Sequence, residues 1–251
     1  MTVFYFTATG NSLAVAKRIG GTLVSIPQVI DSDNLHYKDD VIGIVSPIYW
    51  WNFPIMVRRF LDKVQFEADY IFAIGTYGSI SGGAMVSFQN QAKAKGYRFD
   101  YTNEIVMLDN YIPVFEMGAQ ARKLSKKNVA ENIDKIVADI NNRKRINVKA
   151  HLGKRAMTAI FKRIFKPQES TRKYIVDEKC NTCGICSQVC LAKNITVNDK
   201  VVFHGHCEGC MACLHLCPQN ALHHKKEKSD MRWCNPDVSL KEVVSANNRT
   251  I

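Results

Sequence analysis

Short apolar runs separated by polar, loop-forming segments characterise the first 110 residues of the chain. Four of these runs are rich in β-branched and aromatic residues and lead into polar loops: residues 3–6, 41–46, 70–75 and 104–108. Runs of this length and composition favour buried strands, and a weaker strand is predicted at residues 22–26. Helical character is predicted between them at residues 13–19, 54–61 and 84–95. The alternation of strands and helices predicts an α/β fold.

The pattern changes after residue 120. A helix is predicted at residues 121–140, followed by a polar, basic break at residues 141–145. A second helix is predicted at residues 151–166, with a broad apolar arc, basic residues roughly opposite, and Pro167 at its end. A basic amphipathic helix can lie on an anionic membrane. The alternative, which we favour, is that it packs one domain against another.

Composition places the chain among ordinary globular proteins, because 46% of its 251 residues are hydrophobic and 23% are charged. No run of eighteen apolar residues is present, so no transmembrane segment is predicted. The N-terminal apolar run has no basic flank and is interpreted as a strand rather than a secretory signal. The expected location is therefore cytoplasmic, where cysteines stay reduced.

The net charge of +11 is unevenly distributed. Residues 120–174 contain 16 Lys and Arg against 4 Asp and Glu, whereas the rest of the chain contains 18 against 19. A basic segment of this kind attracts acidic partners by electrostatic steering. Nucleic acid is the rival partner, but the segment carries no recognisable binding motif and few aromatic residues for stacking. We therefore predict no nucleic-acid partner.

A loop rich in hydroxyl groups, residues 7–12, joins the first predicted strand to the first predicted helix. It contains Thr7, Thr9, Gly10, Asn11 and Ser12. Backbone N–H groups at a helix N-terminus favour an anion, and hydroxyl groups add donors without charge. The loop is therefore a candidate cradle for a phosphate monoester. A hydroxyl-rich turn that caps a helix without any ligand is the alternative.

Two further loops follow the second and third strong strands. The first contains Pro47, Tyr49, Trp50 and Trp51, and three adjacent aromatic side chains cannot all face a core. The second is rich in glycine and begins with Thr76, Tyr77 and Gly78. Ligands of open α/β sheets bind at the carboxyl ends of strands, so both loops are predicted to flank a flat ligand. A plain glycine-rich turn is the alternative for the second loop, and residues 109–111 are a weaker candidate.

Eight of the nine cysteines lie within 38 residues, in two runs of identical spacing. The runs are Cys180, Cys183, Cys186 and Cys190, then Cys207, Cys210, Cys213 and Cys217. Thiolates favour iron–sulfur clusters, zinc or copper(I). Zinc sites use Cys-x-x-Cys pairs a dozen or more residues apart, and disulfide frameworks suit small secreted domains. The doubled spacing favours two [4Fe–4S] clusters over zinc. Cys234 lies outside both runs and is expected to be structural.

The first 142 residues resemble flavodoxin, whose phosphate loop runs Thr/Ser-x-Thr-Gly-x-Thr. Thr7, Thr9, Gly10 and Ser12 match that loop, with serine in place of the last threonine. The resemblance implies a doubly wound parallel five-stranded sheet that binds FMN. The phosphate would lie on Thr7, Thr9, Gly10, Asn11 and Ser12, and the ring beside Pro47, Tyr49, Trp50, Trp51, Thr76, Tyr77 and Gly78. No dinucleotide fingerprint is present.

The two cysteine runs resemble the bacterial two-cluster ferredoxin. That resemblance implies a small α+β domain in which the fourth cysteine of each run binds the other cluster. Cys217 would then complete the first set, and Cys190 the second. The chain departs from the pattern at one position, because Leu191 follows Cys190 where the family has proline. A short hairpin is predicted between the runs, at residues 195–197 and 201–203.

The whole chain resembles the bacterial and archaeal fusion of a flavodoxin-like domain with a two-[4Fe–4S] ferredoxin. The expected boundaries are 1–142 for the FMN domain, 143–172 for a basic helical linker, 173–227 for the ferredoxin domain and 228–251 for a tail. The implied function is electron transfer between clusters and FMN, with an acidic ferredoxin or flavodoxin as partner, in a low-oxygen setting. An FMN-dependent oxidoreductase acting on a quinone, NAD(P)H or another small substrate is the alternative, and a redox sensor is a third class.

Overall fold

The computed structural model describes residues 1–248 of the chain and contains a central sheet and a smaller cysteine-rich unit. The strands in chain order are β1 (Thr2–Tyr5), β2 (Thr22–Ser25), β3 (His36–Lys38), β4 (Val41–Pro47), β5 (Gln65–Glu67), β6 (Tyr70–Tyr77), β7 (Tyr101–Val106), β8 (Tyr174–Val176), β9 (Ile195–Val197), β10 (Val201–Phe203) and β11 (Leu222–His224). Five of them form one parallel sheet in the order β2-β1-β4-β6-β7. Taken by sequence within the sheet, this order is 2-1-3-4-5, the flavodoxin-like doubly wound topology. The predicted fold class is confirmed.

The helices connect these strands and cover both faces of the sheet. They are α1 (Asn11–Ile19), α2 (Ile26–Val29), α3 (Ile55–Lys63), α4 (Ala84–Ala94), α5 (Met117–Leu124), α6 (Val129–Asn141), α7 (Leu152–Ile164), α8 (Ile185–Gln188), α9 (Ala212–His215) and α10 (Leu240–Asn247). Two short 3-10 helices lie at Ser125–Lys127 and Pro167–Lys173. Within the described residues, every helix is too short or too polar to span a bilayer.

Two apolar layers hold the sheet between its helices. Alternate side chains of a strand point to opposite faces. Val45 and Ile74 therefore pack with α1 and α6 on one face, while Phe4, Ile44 and Ala73 pack with α2, α3 and α4 on the other. All five side chains are fully buried. The central strands are buried on both faces, which explains why they are continuous apolar runs in the sequence.

The cysteine-rich unit consists of two similar halves. The predicted hairpin is confirmed, because β9 pairs with β10 in antiparallel register from Ile195 opposite Phe203 to Val197 opposite Val201. A second antiparallel pair joins β8, before the first cysteine run, to β11, after the second. The short helices α8 and α9 follow the first cysteines of each run and pack against each other.

Three details differ from the sequence prediction. The helix predicted at residues 121–140 is interrupted, because Asn128 adopts a left-handed conformation (φ 46°) between α5 and α6. The last strand of the sheet begins at Tyr101 and ends at Val106, earlier than predicted. The tail contains an unpredicted helix, α10, with a capping box between Ser239 and Glu242.

The tail does not stand apart from the flavodoxin-like sheet. Val243 and Ala246 of α10 are buried in the same apolar layer as α1. Lys17 of α1 donates to the Glu242 carboxylate at 2.7 Å, and Ser25 Oγ donates to the Ala246 carbonyl oxygen at 2.5 Å. Helix α10 is therefore packed into the helical layer that covers this face of the N-terminal sheet.

Candidate cofactor sites

A cavity of about 310 Å³ opens at the carboxyl ends of the sheet strands. It lies at the point where the strand order reverses, between β1 and β4, which is the ligand-binding position of open α/β sheets. The cavity brings together eleven of the twelve residues predicted to bind FMN: Thr7, Thr9, Asn11, Ser12, Pro47, Tyr49, Trp50, Trp51, Thr76, Tyr77 and Gly78. Gly10 does not line it. Residues 108–111 complete one wall.

The loop at residues 7–12 offers several donors toward this cavity. Gly10 is left-handed (φ 95°) at the N-terminus of α1, and no side chain caps the helix. The first N–H groups of α1 are therefore available to an anion. Thr7 Oγ1 is fully buried and has no hydrogen-bond partner among the described residues. A buried hydroxyl group without a partner is costly, and a phosphate oxygen would satisfy it. The loop fits the phosphate of FMN.

Hydrogen bonds join the phosphate loop to the two neighbouring loops. Ser12 Oγ lies 2.9 Å from Thr76 Oγ1, and both residues are buried. Asn110 Nδ2 donates to Thr9 Oγ1 at 2.7 Å. These contacts fix the mutual positions of three segments that are separated by 64 and 101 residues in sequence.

The backbone at Gly78 lies too close to the neighbouring loop to carry a side chain. A Cβ atom at this position would lie 2.3 Å from Asp109 Cβ and Cγ. Lys127 Nζ holds the same peptide by donating to the Gly78 carbonyl oxygen at 2.8 Å. The close approach of the two loops shapes the wall where the sequence predicts the flavin ring.

The aromatic loop makes an unusual tight turn. Trp50 and Trp51 both have positive φ angles, 50° and 59°, and Tyr49 and Asn52 exchange two backbone hydrogen bonds across the turn, at 2.8 and 3.0 Å. Turns with two left-handed residues favour asparagine and glycine. Tryptophan in this conformation costs about 1–2 kcal/mol per residue. The strain is located at the cavity, which is where such strain accompanies function.

Helix α7 packs against the outside of this turn. Thr158 is buried, accepts the Gly83 N–H at 2.9 Å and donates to the Trp51 carbonyl oxygen at 3.2 Å. Phe161 meets the edge of Trp51, with ring centroids 4.0 Å apart. One face of α7 is therefore packed against the aromatic loop. The other face leaves Ile160 exposed, together with the adjacent basic side chains.

The tail contacts the phosphate loop from behind, a feature that the sequence did not indicate. The Asn235 N–H donates to the Thr9 carbonyl oxygen at 2.8 Å, and Asn235 Nδ2 donates to Asn11 Oδ1 at 3.0 Å. A Cβ atom on Gly10 would lie 3.0 Å from the Cβ atoms of both Asn235 and Val238. The conformation of the phosphate loop thus depends on residues more than 220 positions away in sequence.

The cysteine-rich unit forms part of the same cavity. Gly209, Cys210 and Met211 line it together with the phosphate loop. Burial raises the pKa of the Tyr49 hydroxyl well above its usual value, and the charges of Cys210 and Glu208 add to this effect. A predicted cluster ligand therefore lies beside the predicted flavin pocket. Sequence reasoning assigned these three residues no role there.

Two contacts made by the second cysteine run help to fix the cysteine-rich unit in this position. Glu208, between Cys207 and Cys210, accepts the backbone N–H groups of Ile55 at 2.9 Å and Met56 at 2.8 Å, and so caps α3. Burial raises the pKa of the Glu208 carboxyl group, partly offset by these N–H groups and by Arg58 and Arg59.

The second contact is made by His215, which is buried. Its Nε2 atom lies 2.7 Å from the Asn110 carbonyl oxygen, and its Nδ1 atom accepts the Trp233 N–H at 3.2 Å. Burial lowers the pKa of His215 to about 4. The imidazole is therefore neutral at pH 7, with the proton on Nε2 donated to Asn110. This bond joins the second cysteine run to the loop beside the cavity.

The eight cysteines of the two runs form two spatial groups. One small cavity is lined by Cys180, Cys183, Cys186 and Cys217, and another by Cys190, Cys207, Cys210 and Cys213. The fourth cysteine of each run thus lies with the first three of the other run. Among residues 1–248, no group of three or more His, Cys, Asp or Glu side chains is arranged to hold a single metal ion. The cluster ligands stay a prediction from the sequence.

The shifted pKa values of the cysteines, and the backbone N–H groups that donate to their sulfur atoms, agree with these two spatial groups. Burial, together with the charges of Cys217, Cys180 and Cys183, raises the pKa of Cys186 to about 11. Burial likewise raises the pKa of Cys207 to about 11, with a contribution from Cys190. Backbone N–H groups donate to three sulfur atoms: Asn194 to Cys190 at 3.2 Å, Gly209 to Cys207 at 3.2 Å and Ala221 to Cys217 at 3.3 Å. Buried thiolates need such donors or bound metal, so both groups fit iron–sulfur clusters.

Cys234 lies apart from both groups. Its Sγ atom is 3.5 Å from the Val238 carbonyl oxygen, and burial raises its pKa. It packs against the apolar layer that α1 and α10 share.

No protein-family model and no curated protein sequence matches the chain. The solution structure of two-electron reduced flavodoxin from Megasphaera elsdenii is similar to part of it, with 18% sequence identity and a TM-score of 0.31. That similarity covers 41% of this chain and 83% of the flavodoxin. The strand order of the chain's own sheet is the observation that shows its flavodoxin-like fold.

Proposed function

We propose that this protein is an iron–sulfur flavoprotein that transfers electrons between two [4Fe–4S] clusters and FMN. The observation that carries the proposal is the position of Cys210, which belongs to one cysteine group and also lines the cavity that fits FMN. Thr7, Ser12 and the N-terminus of α1 would hold the phosphate. FMN exchanges one or two electrons and each cluster exchanges one, so the combination converts between the two kinds of redox couple.

The arrangement of the cysteine groups suggests an order for the relay. The group containing Cys210 is next to the flavin pocket; within it Cys213 is buried and Cys210 is half-buried. The group containing Cys186 is adjacent, because the charge of Cys186 contributes to the raised pKa of Cys213. Its Cys183 is exposed to solvent. We call the group containing Cys210 the inner group and the group containing Cys186 the outer group. We infer that electrons pass between FMN and the inner group, then between the inner and outer groups, and are exchanged with external partners near Cys183.

The first test is the cofactor content of anaerobically purified protein. About eight irons, eight sulfides and one FMN per chain are expected. Zinc without sulfide, or a chain without flavin, would contradict the proposal.

The relay order is tested with Cys183→Ser, which removes a ligand at the exposed position. This variant should slow the reduction of FMN by a protein donor. It should leave photochemical reduction of FMN unchanged. Equal rates with the protein donor in variant and wild type would contradict the proposed order.

We also infer that the redox partner is acidic. Helix α7 carries the exposed side chains of Lys154, Arg155, Lys162 and Arg163, and contains no acidic residue. Attraction between exposed charges weakens as salt is added. Electron transfer to an acidic ferredoxin should therefore slow steeply as ionic strength rises, and a rate independent of salt would contradict this inference.

A second function is an FMN-dependent oxidoreductase acting on a small molecule. One observation favours it: a second cavity shares the side chains of Trp50 and Tyr111 with the flavin pocket. A small molecule there would lie beside the flavin. A substrate-dependent reoxidation of reduced FMN, measured in stopped flow, distinguishes this function from a pure relay.

A further inference from the structure

The second cavity, with a volume of about 280 Å³, lies between the flavin pocket and the linker. It shares four lining residues with the flavin pocket, namely Trp50, Tyr111, Gly209 and Met211. Its outer wall is the segment 164–173. This segment is packed closely on the cysteine-rich unit, because a Cβ atom on Gly209 would meet Pro167, Phe165 and Ser170 within 3.4 Å. The cavity therefore touches both cofactor sites.

Aromatic rings form one side of this cavity. Trp50 lies nearly parallel to Phe165, with centroids 4.8 Å apart and an interplanar angle of 26°. Tyr111 meets Trp50 at 82° and 5.0 Å. Walls of this kind favour a flat, conjugated ligand.

Cationic side chains form the other side. Lys166, Arg172 and Lys173 line the cavity, against one carboxylate, Glu169. Arg172 lies 3.6 Å from Glu169 in an exposed pair. Among residues 1–248, no salt bridge joins Lys166 or Lys173 to a carboxylate. Two ammonium groups without a fixed counter-ion beside an aromatic wall favour an anion.

A buried histidine adds a neutral donor to these cations. His224 is 5% exposed, lines the cavity, and accepts the Lys226 N–H at Nδ1 over 3.1 Å. Burial lowers the pKa of His224, and the charge of Lys173 lowers it further. The ring is therefore neutral at pH 7 and carries its proton on Nε2. That N–H is a hydrogen-bond donor with no partner among the described residues.

We propose that the second cavity binds a small conjugated organic anion, with its flat body along the aromatic side formed by Trp50, Phe165 and Tyr111, and its carboxylate or phosphate group at Lys166, Lys173 and His224. A volume of about 280 Å³ is at the small end for ligand sites and too small for a whole dinucleotide. The binding site stands on its own residues. Electron exchange with its ligand rests on the proposed function, because it requires FMN in the adjoining pocket.

The test uses three probes on anaerobically purified holoprotein: trans-cinnamate, its neutral amide, and phenyl phosphate. Binding is measured by isothermal titration calorimetry and by quenching of tryptophan fluorescence. Cinnamate or phenyl phosphate should bind saturably at one site per chain, and the amide should bind about tenfold more weakly or worse. Comparison of the two anions identifies which anionic group the site prefers.

Matched variants assign the binding to this cavity. Lys166→Gln with Lys173→Gln should weaken binding of the anion about tenfold or more and leave the amide unchanged. Lys162→Gln with Arg163→Gln removes the same charge from α7 without touching the cavity and should have no effect. Circular dichroism and FMN content establish that each variant is folded.

Each alternative outcome is decisive. Failure of both anions to bind, equal binding of cinnamate and its amide, or equal losses in the two double variants would overturn the proposal. The purified chain could instead lack FMN and still bind cinnamate, with weaker cinnamate binding only in the variant that replaces Lys166 and Lys173. That outcome would support this site and refute the flavoprotein function. The two failures are therefore distinguishable.

Discussion

Replacing Glu208 by alanine tests how firmly the inner cysteine group is attached to α3, the helix that follows the aromatic loop. The Glu208 carboxylate is 8% exposed and accepts two N–H groups at the start of α3, at 2.9 and 2.8 Å. Alanine removes the carboxylate acceptor of both N–H groups, and the loss of each such hydrogen bond costs about 1–3 kcal/mol when the group is buried. Met56 is buried and Ile55 is partly exposed. We therefore expect Glu208→Ala to lower the local stability of this contact by about 2–4 kcal/mol in total.

Glutamine at the same position should have a smaller effect. It keeps one acceptor oxygen and removes a charge that burial opposes, since burial raises the pKa of Glu208. We therefore expect Glu208→Gln to lower the local stability by about 1 kcal/mol. Glu116→Ala is the matched control, because both Glu116 carboxylate oxygens accept N–H groups of α5, each at 2.6 Å, in an exposed position within the N-terminal unit. Glu116→Ala should lower the local stability by about 0.5–2 kcal/mol, and this effect should be confined to α5.

The assay is hydrogen–deuterium exchange of peptides covering residues 53–60, in anaerobic holoprotein. A loss of about 2–4 kcal/mol in local stability speeds exchange by about 30-fold to 1000-fold. The same variant should slow electron transfer between the inner group and FMN, because the capping contact sets their distance. Exchange within threefold of wild type, with unchanged electron transfer, would refute the reasoning that Glu208 positions the inner group.

Three further predictions address the cofactor sites. Thr7→Val should weaken FMN binding about 10-fold to 100-fold, because it removes a buried donor, whereas Thr102→Val, outside the cavity, should leave the affinity unchanged; equilibrium dialysis measures both. Asn235→Ala should weaken FMN binding about twofold to tenfold without contacting it, by loosening the phosphate loop, and an unchanged affinity would contradict this. Cys190→Ser should damage the inner cluster and Cys217→Ser the outer one, as measured by electron paramagnetic resonance; damage confined to each residue's own run would disprove the crossed grouping.

The sequence by itself determined the strands and the local motifs. Strands buried on both faces must be apolar throughout, so β4 and β6 are visible as continuous runs. The phosphate loop is equally local, since a strand end, a left-handed Gly10 and a helix start lie within a few residues. The cysteine spacing within each run is also local, since each run spans only 11 residues. Each of these features arises from neighbours in sequence, which is why pattern alone indicates it.

Only the tertiary structure decided how the two units meet. Glu208 reaches α3 across 152 residues, and Asn235 reaches the phosphate loop across 224. Neither contact leaves a local signal, because a buried glutamate and an asparagine look like surface residues in a sequence. The same holds for Cys210, whose spacing predicts a metal ligand but does not show that it borders the flavin pocket. Long-range packing sets such distances, and packing depends on the shapes of both units together.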